Sequence, residues 1–333
     1  MGSRGLALIL IVLAVAAGAA FYFLRKPART PPTAGPSGPA RIAEARLERG
    51  RYLVENLMLC FACHSETEWK TAPGLPVAGK KGAGTIFVDE TLPFKLMAPN
   101  ITPDRETGIG AWSDEEIGRG IREGIGRDGR RLFPAMPYLL FRSLSDEDLA
   151  AVTAYVRSIP PVRHETPRTE IPKPFQAMIP PPIPLAKPAP PPASDPVRRG
   201  EYLAALGICI ECHTPLSPKG EPMMNLAYAG GRLLKGPWGE VSSANITPDA
   251  SGIPHYDEKM FIQTMRTGQV AGTGRKLNPV MLTGYFRKLT DDDLKAIFAY
   301  VRTLKPIPHR VDNTEKPTAC KLCGGAHGFG DKN

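Results

Sequence analysis

The sequence predicts an all-α protein made of two tandem copies of one domain, joined by a proline-rich linker and preceded by a transmembrane helix. Three observations predict it. Two long blocks repeat each other, helix-capping patterns precede apolar residues at helical spacing, and Leu6–Leu24 is an uninterrupted run of uncharged residues.

The 333 residues, 36.0 kDa, allow two domains and connecting segments at roughly 100 to 200 residues per domain. Aromatics are only 7%, while 36 Pro and 33 Gly require long stretches that are neither helix nor central strand. The net charge of +9 is spread thinly, with no basic stripe interleaved with aromatics, which argues against nucleic-acid binding.

Residues 1–26 are read as a membrane anchor or signal. Leu6–Leu24 is long enough to span a bilayer and longer than the apolar core of an ordinary signal peptide, although Ala17-Gly18-Ala19 would serve as a cleavage site. An uncleaved anchor is therefore the favoured reading. Arg25, Lys26 and Arg29 outnumber Arg4, which by charge bias alone would keep the body of the protein cytoplasmic. Residues 27–40 are rich in Pro and Gly and read as an extended spacer.

The repeated blocks assign residues 41–163 to a first domain and 195–310 to a second. Arg49-Gly50-Arg51-Tyr52-Leu53 returns as Arg199-Gly200-Glu201-Tyr202-Leu203, and Asn100-Ile101-Thr102-Pro103-Asp104 returns unchanged from Asn245. Phe141-Arg142-Ser143-Leu144-Ser145-Asp146 returns as Phe286-Arg287-Lys288-Leu289-Thr290-Asp291. Between the copies, residues 164–194 lie in a belt from Pro160 to Pro196 that holds 14 prolines and read as a linker. Residues 311–333 form a tail.

Within each copy helices are expected at Ile42–Leu57 and Val197–Leu206, from the Ser113-x-x-Glu116 capping pattern onward, and after Ser145-x-x-Asp148 and Thr290-x-x-Asp293. The copies are thin in core residues, so something besides an apolar core must organise them.

Cys60-Phe61-Ala62-Cys63-His64 and Cys209-Ile210-Glu211-Cys212-His213 are two C-x-x-C-H motifs at matching repeat positions, the signature for covalent haem c attachment. Two thiols three residues apart on a helical turn can both add to the porphyrin vinyls, and the next residue turns its imidazole to the iron. Zinc would need four ligands, and a thioredoxin-like pair a βαβ context; neither is apparent at these motifs. Covalent haem attachment also places the soluble body in the periplasm, against the charge bias.

Met136 and Met281 occupy the same repeat position, each two residues after a Pro, and are the candidate sixth iron ligands beside His64 and His213. His164 and His309 also correspond, but in Pro-rich exits from the last helix of each copy they read as surface or packing residues. Asn100 with Trp112, and Asn245 with Tyr256, could offer polar tips to a haem propionate, or simply pack and form a turn. Cys320 and Cys323 are followed by Gly324 where a haem ligand would stand, so a local disulfide is expected; a metal clip with His327 is the lesser alternative, since further ligands are not apparent.

With the C-x-x-C-H motif, the Asn100 to Trp112 segment and the Pro134 to Tyr138 loop in order, the chain resembles the cytochrome c family. Within that family it is similar to the cytochrome c subunits of bacterial membrane-bound alcohol and gluconate dehydrogenases. The resemblance covers roughly 41–163 and 195–310 and implies a class I cytochrome c fold in each. It departs in having two copies rather than three and an apolar segment at the N-terminus, and in Met281-Leu282-Thr283 the second copy lacks the Pro-Tyr that follows Met136.

The function expected is that of a dihaem electron carrier, not an enzyme, anchored in the inner membrane with its domains in the periplasm. Its partners would be a dehydrogenase or quinol-linked donor and a cytochrome or oxidase acceptor. The alternative is a haem enzyme with an open sixth site at the second haem.

Overall fold

The computed structural model describes residues 38–70, 74–87, 93–186, 190 and 192–328. The apolar segment and most of the spacer lie outside them. Among the described residues no helix is long and apolar enough to cross a membrane. The described residues from Glu44 onward form one compact unit.

The fold is largely helical. Helix α1 (Pro39–Tyr52) passes into a π-helical turn at Leu53–Leu57 and is followed by α2 (Cys60–Cys63). Then come α3 (Asp114–Glu123), α4 (Tyr138–Phe141), α5 (Asp146–Ser158) and, in the proline belt, α6 (Lys173–Gln176). The second copy repeats the order with α7 (Pro196–Leu206), α8 (Cys209–His213), α9 (Glu258–Thr267), α10 (Thr283–Phe286) and α11 (Asp291–Val301).

The sequence signals act where they were read. Ser113 and Glu116 form a reciprocal capping box at α3, and the Ser145 and Thr290 hydroxyls accept from the Asp148 and Asp293 amides at α5 and α11. The fold departs from all-α in four small antiparallel two-stranded ladders among the described residues. They are β1 (Thr67–Glu68) with β2 (Leu75–Pro76), β3 (Thr85–Phe87) with β4 (Leu96–Ala98), β5 (Leu233–Gly236) with β6 (Gly239–Ser242), and β7 (Thr318–Ala319) with β8 (Ala326–His327). Strands this short carry no period-2 pattern, which is why the sequence did not announce them.

In each copy the first and last helices cross at a glycine. A Cβ on Gly50 would lie 1.9 Å from the Ala151 carbonyl oxygen, and one on Gly200 would lie 1.8 Å from that of Ala296. Only hydrogen lets the two backbones approach so closely. Flanking each crossing is an ion pair, Arg49 with Asp148 at 2.7 and 2.8 Å, and Arg199 Nε with Asp293 at 2.9 Å.

The copies then exchange hydrogen bonds about a pseudo-twofold axis. Tyr52 donates to Asp293 at 2.6 Å and accepts from the Thr290 amide, while Tyr202 donates to Asp148 at 2.7 Å and accepts from the Ser145 amide. One continuous core holds Leu53, Leu57 and Phe141 together with Leu203, Leu206 and Phe286. The proline belt lies along the first copy: Arg131 and Arg142 donate to the Pro180 and Pro184 carbonyls, both at 2.7 Å, and Phe94 meets Phe175 at 5.2 Å between ring centroids.

Candidate functional site

Both C-x-x-C-H motifs have one local geometry. Leu59 and Ile208, the residues just before each motif, adopt the left-handed conformation with φ of 55° and 51°. This uncommon geometry for a branched side chain turns the chain sharply from the preceding helix into α2 or α8. The motif cysteines then share one helical turn.

Each motif histidine is buried and anchored by its Nδ1. His64 Nδ1 lies 2.8 Å from the Pro99 carbonyl oxygen and His213 Nδ1 2.8 Å from that of Ala244. A carbonyl accepts only, so Nδ1 carries the proton and Nε2 presents its lone pair. Burial lowers the pKa of both imidazoles against the opposing carbonyl bond, which keeps them neutral and competent as iron or metal ligands. Their backbones are tied alike, the His64 carbonyl accepting from Gly84 at 2.8 Å and that of His213 from Gly230 at 2.7 Å.

Burial pushes the Cys60, Cys63 and Cys209 thiols up to about 12, and none of the six cysteines is in a disulfide. The two motifs approach each other across the pseudo-twofold: Cys212 acts electrostatically on Cys63, and Tyr285 of the second copy is pushed up by burial and by Cys63 and Cys60. The Tyr285 hydroxyl and the Trp238 indole nitrogen are buried with no hydrogen-bond partner, and Trp238 meets Trp69 of the first copy at 4.7 Å between centroids. Paired thiols, an imidazole with a free Nε2 and orphaned donors fit a covalently held haem with polar edge groups.

Met136 and Met281 are half-buried against the core, each in a turn leading directly into a short helix. The Met136 amide donates to the Phe133 carbonyl at 3.1 Å ahead of α4. The Met281 amide donates to the Asn278 carbonyl at 3.0 Å, and the buried Asn278 side chain accepts from the Val280 amide at 3.1 Å ahead of α10. Leu282, with φ of 55°, makes in the second copy the turn that Pro137 makes in the first.

Of the two readings of Asn100 and Asn245, the packing one holds. The Asn100 amide is consumed within its own loop: it donates to the Val162 carbonyl at 2.7 Å and to Thr107 at 3.0 Å, and accepts from the Thr102 amide and hydroxyl at 2.9 and 2.8 Å. Asn245 does the same with Ile307, Ser251 and Thr247. Both are therefore buried staples with nothing left for a propionate.

Cys320 and Cys323 do not form the expected disulfide. Each sulfur faces a histidine instead, Cys320 Sγ lying 3.2 Å from His309 Nε2 and Cys323 Sγ 3.1 Å from His327 Nε2. The four ligand atoms lie within 4.8 Å of one another. The signal missed was His309, eleven residues before Cys320, which the repeat alignment had absorbed as the partner of His164.

Residues 47–160 match the cytochrome c family profile. The chain is 31% identical to the cytochrome c subunit of the quinone-dependent alcohol dehydrogenase of Gluconobacter oxydans, covering 80% of this chain and 56% of the relative. It is 32% identical to the cytochrome c subunit of the gluconate 2-dehydrogenase of Pantoea cypripedii, covering 78% of this chain and 60% of the relative. A diheme cytochrome c-type protein of Cereibacter sphaeroides is 27% identical over 92% of this chain and 98% of the relative. The chain thus spans less than two thirds of the two dehydrogenase relatives. The cytochrome subunit of a fructose dehydrogenase matches in the same way. Residues 47–160 are a cytochrome c domain, and the chain is related to the cytochrome c subunits of bacterial dehydrogenases.

Proposed function

We propose that the protein is a membrane-tethered, periplasmic dihaem cytochrome c. In this reading it passes single electrons between a dehydrogenase or quinol-linked donor and a respiratory acceptor, and is itself not an enzyme. The two cytochrome c domains would be residues 41–163 and 195–310, with 164–194 as linker and the N-terminal apolar segment as anchor. The observation that carries this reading is the shared geometry of the two motifs: the same left-handed residue, the same turn bearing both thiols, and the same carbonyl-anchored histidine.

Cys60 and Cys63 would hold one haem with His64 and Met136 as iron ligands, and Cys209 and Cys212 the other with His213 and Met281. A bound haem supplies a reversible one-electron couple whose potential is set by axial ligand, burial and hydrogen bonding. The chain's own residues orient each imidazole through Nδ1, exclude water by burial, and keep the two sites adjacent through one core and the tyrosine–aspartate exchanges. That adjacency supports electron passage between the sites without domain movement.

The test is an intact denaturing mass with a spectrum of the oxidised protein, produced with haem maturation. Two covalent haems and a methionine-to-iron charge-transfer band, reduced in Met136→Ala and again in Met281→Ala, are expected. One haem, or a second site indifferent to Met281→Ala, would refute the dihaem carrier.

A further inference from the structure

We propose that His309, Cys320, Cys323 and His327 form a structural zinc site that clips the C-terminal tail to the second copy. This goes beyond the electron-transfer reading and does not depend on it. Four soft or borderline donors converge from two strands of chain, His309 from the exit of α11 and the other three from the turn and ladder β7–β8. Their alternation is informative, because each sulfur has a histidine Nε2 as its near neighbour, at 3.2 and 3.1 Å. A tetrahedral zinc with Zn–S of about 2.3 Å and Zn–N of about 2.0 Å separates S and N by roughly 3.5 Å, so only small shifts would close the four donors around an ion.

The outer shell is that of a metal site. His309 Nδ1 is held by the Ala229 carbonyl at 3.0 Å and His327 Nδ1 by the Arg310 carbonyl at 3.2 Å, which places both protons on Nδ1 and leaves both Nε2 lone pairs facing the cysteines. The Leu322 amide points at Cys320 Sγ at 3.4 Å, a contact that favours the thiolate. Gly231, with φ of 87°, closes the back: a Cβ there would lie 2.6 Å from His309 and 2.8 Å from His327.

His309, Cys323 and His327 are buried and Cys320 is half-buried, and the four protein donors complete the tetrahedral set of a structural zinc. A haem does not fit, because Gly324 stands where its histidine would follow the second thiol. On binding, the two thiols release their protons and the Cys2His2 zinc centre is neutral. The first copy shows what was added: His164 Nδ1 makes the equivalent bond to the Ala83 carbonyl at 2.8 Å, whereas in the second copy the tail brings two cysteines and a histidine to the other face of the ring.

The experiment uses the full chain, matured with haem and purified without a polyhistidine tag or chelator, with metals counted by mass spectrometry. About one zinc per chain is expected, with an X-ray absorption edge fitted by two sulfurs near 2.3 Å and two nitrogens near 2.0 Å. Cys320→Ser combined with Cys323→Ser should abolish zinc while leaving covalent haem content unchanged. The absorption fit on the parent protein decides the matter even if that variant fails to accumulate. Zinc-free protein with a Cys320–Cys323 disulfide by differential alkylation, or zinc retained by the double variant, would overturn the proposal.

Discussion

Replacing Tyr202 by Phe removes one hydroxyl and nothing else from the seam between the two copies. That hydroxyl donates to Asp148 at 2.7 Å and accepts from the Ser145 amide at 3.3 Å. Asp148 has 9% of its side chain exposed and keeps Arg49 as its remaining charged partner. A hydrogen bond to a charged group contributes about 1.5–3 kcal/mol, so a loss of about 2 kcal/mol near pH 7 is expected, equivalent to roughly 3 °C in the midpoint of a chain this size.

The pH dependence gives the prediction a sign. Burial pushes the Asp148 carboxyl up, but the Arg49 hydrogen bond and charge, with the Tyr202 hydroxyl, outweigh it and hold the group below its ordinary value. The unfolded chain therefore binds the proton first, and the stability linked to this carboxylate is present above about pH 4 and lost as pH falls through the depressed folded value. Phe at 202 raises that folded value, so the deficit should shrink below about pH 4. Chemical denaturation of the haem-loaded protein followed by far-ultraviolet circular dichroism, at neutral pH and at pH about 3, measures both. A loss under about 0.5 kcal/mol, or a deficit that does not change with pH, would show that the hydroxyl makes no bond to a charged carboxylate in solution.

Other positions extend the test. Gly50→Ala and Gly200→Ala should each lower stability by about 1–3 kcal/mol or more, because the added methyl meets backbone rather than a side chain that can turn away; thermal midpoints measure this. Arg199→Leu leaves Asp293, 2% exposed, with Tyr52 as its remaining partner in the pair and should cost about 3 kcal/mol, the low end for a broken buried pair since Arg199 keeps a third of its surface in solvent; urea denaturation measures it. Asn100→Ala should destabilise by about 3 kcal/mol through the buried partners it strands, yet leave the redox potential unchanged if the side chain is a staple; a potentiometric titration separates the two.

Much of this architecture was legible in the chain. The duplicated motifs, the Ser113, Ser145 and Thr290 caps and the helices they open are local, written within a few residues of each other. Gly50 and Gly200 were visible as matching members of the repeat, but their reason, a carbonyl oxygen from a helix about a hundred residues on, was not. At Asn100 and Asn245 the sequence leaves a propionate contact and a packing role both open, because the carbonyl partners that decide it, at Val162 and Ile307, lie some sixty residues further along the chain.

Spacing along the chain was enough for the two thiol–imidazole motifs, the paired methionines and the helical class, because each depends on one helical turn or on comparison of one copy with the other. The closed fold was needed for the tyrosine–aspartate exchange across the seam, the single shared core, the course of the proline belt along the first copy, and the meeting of His309 with Cys320, Cys323 and His327. These depend on which surfaces close over each other. Burial and charge pairing select that closure from many chain conformations, and no local spacing encodes it.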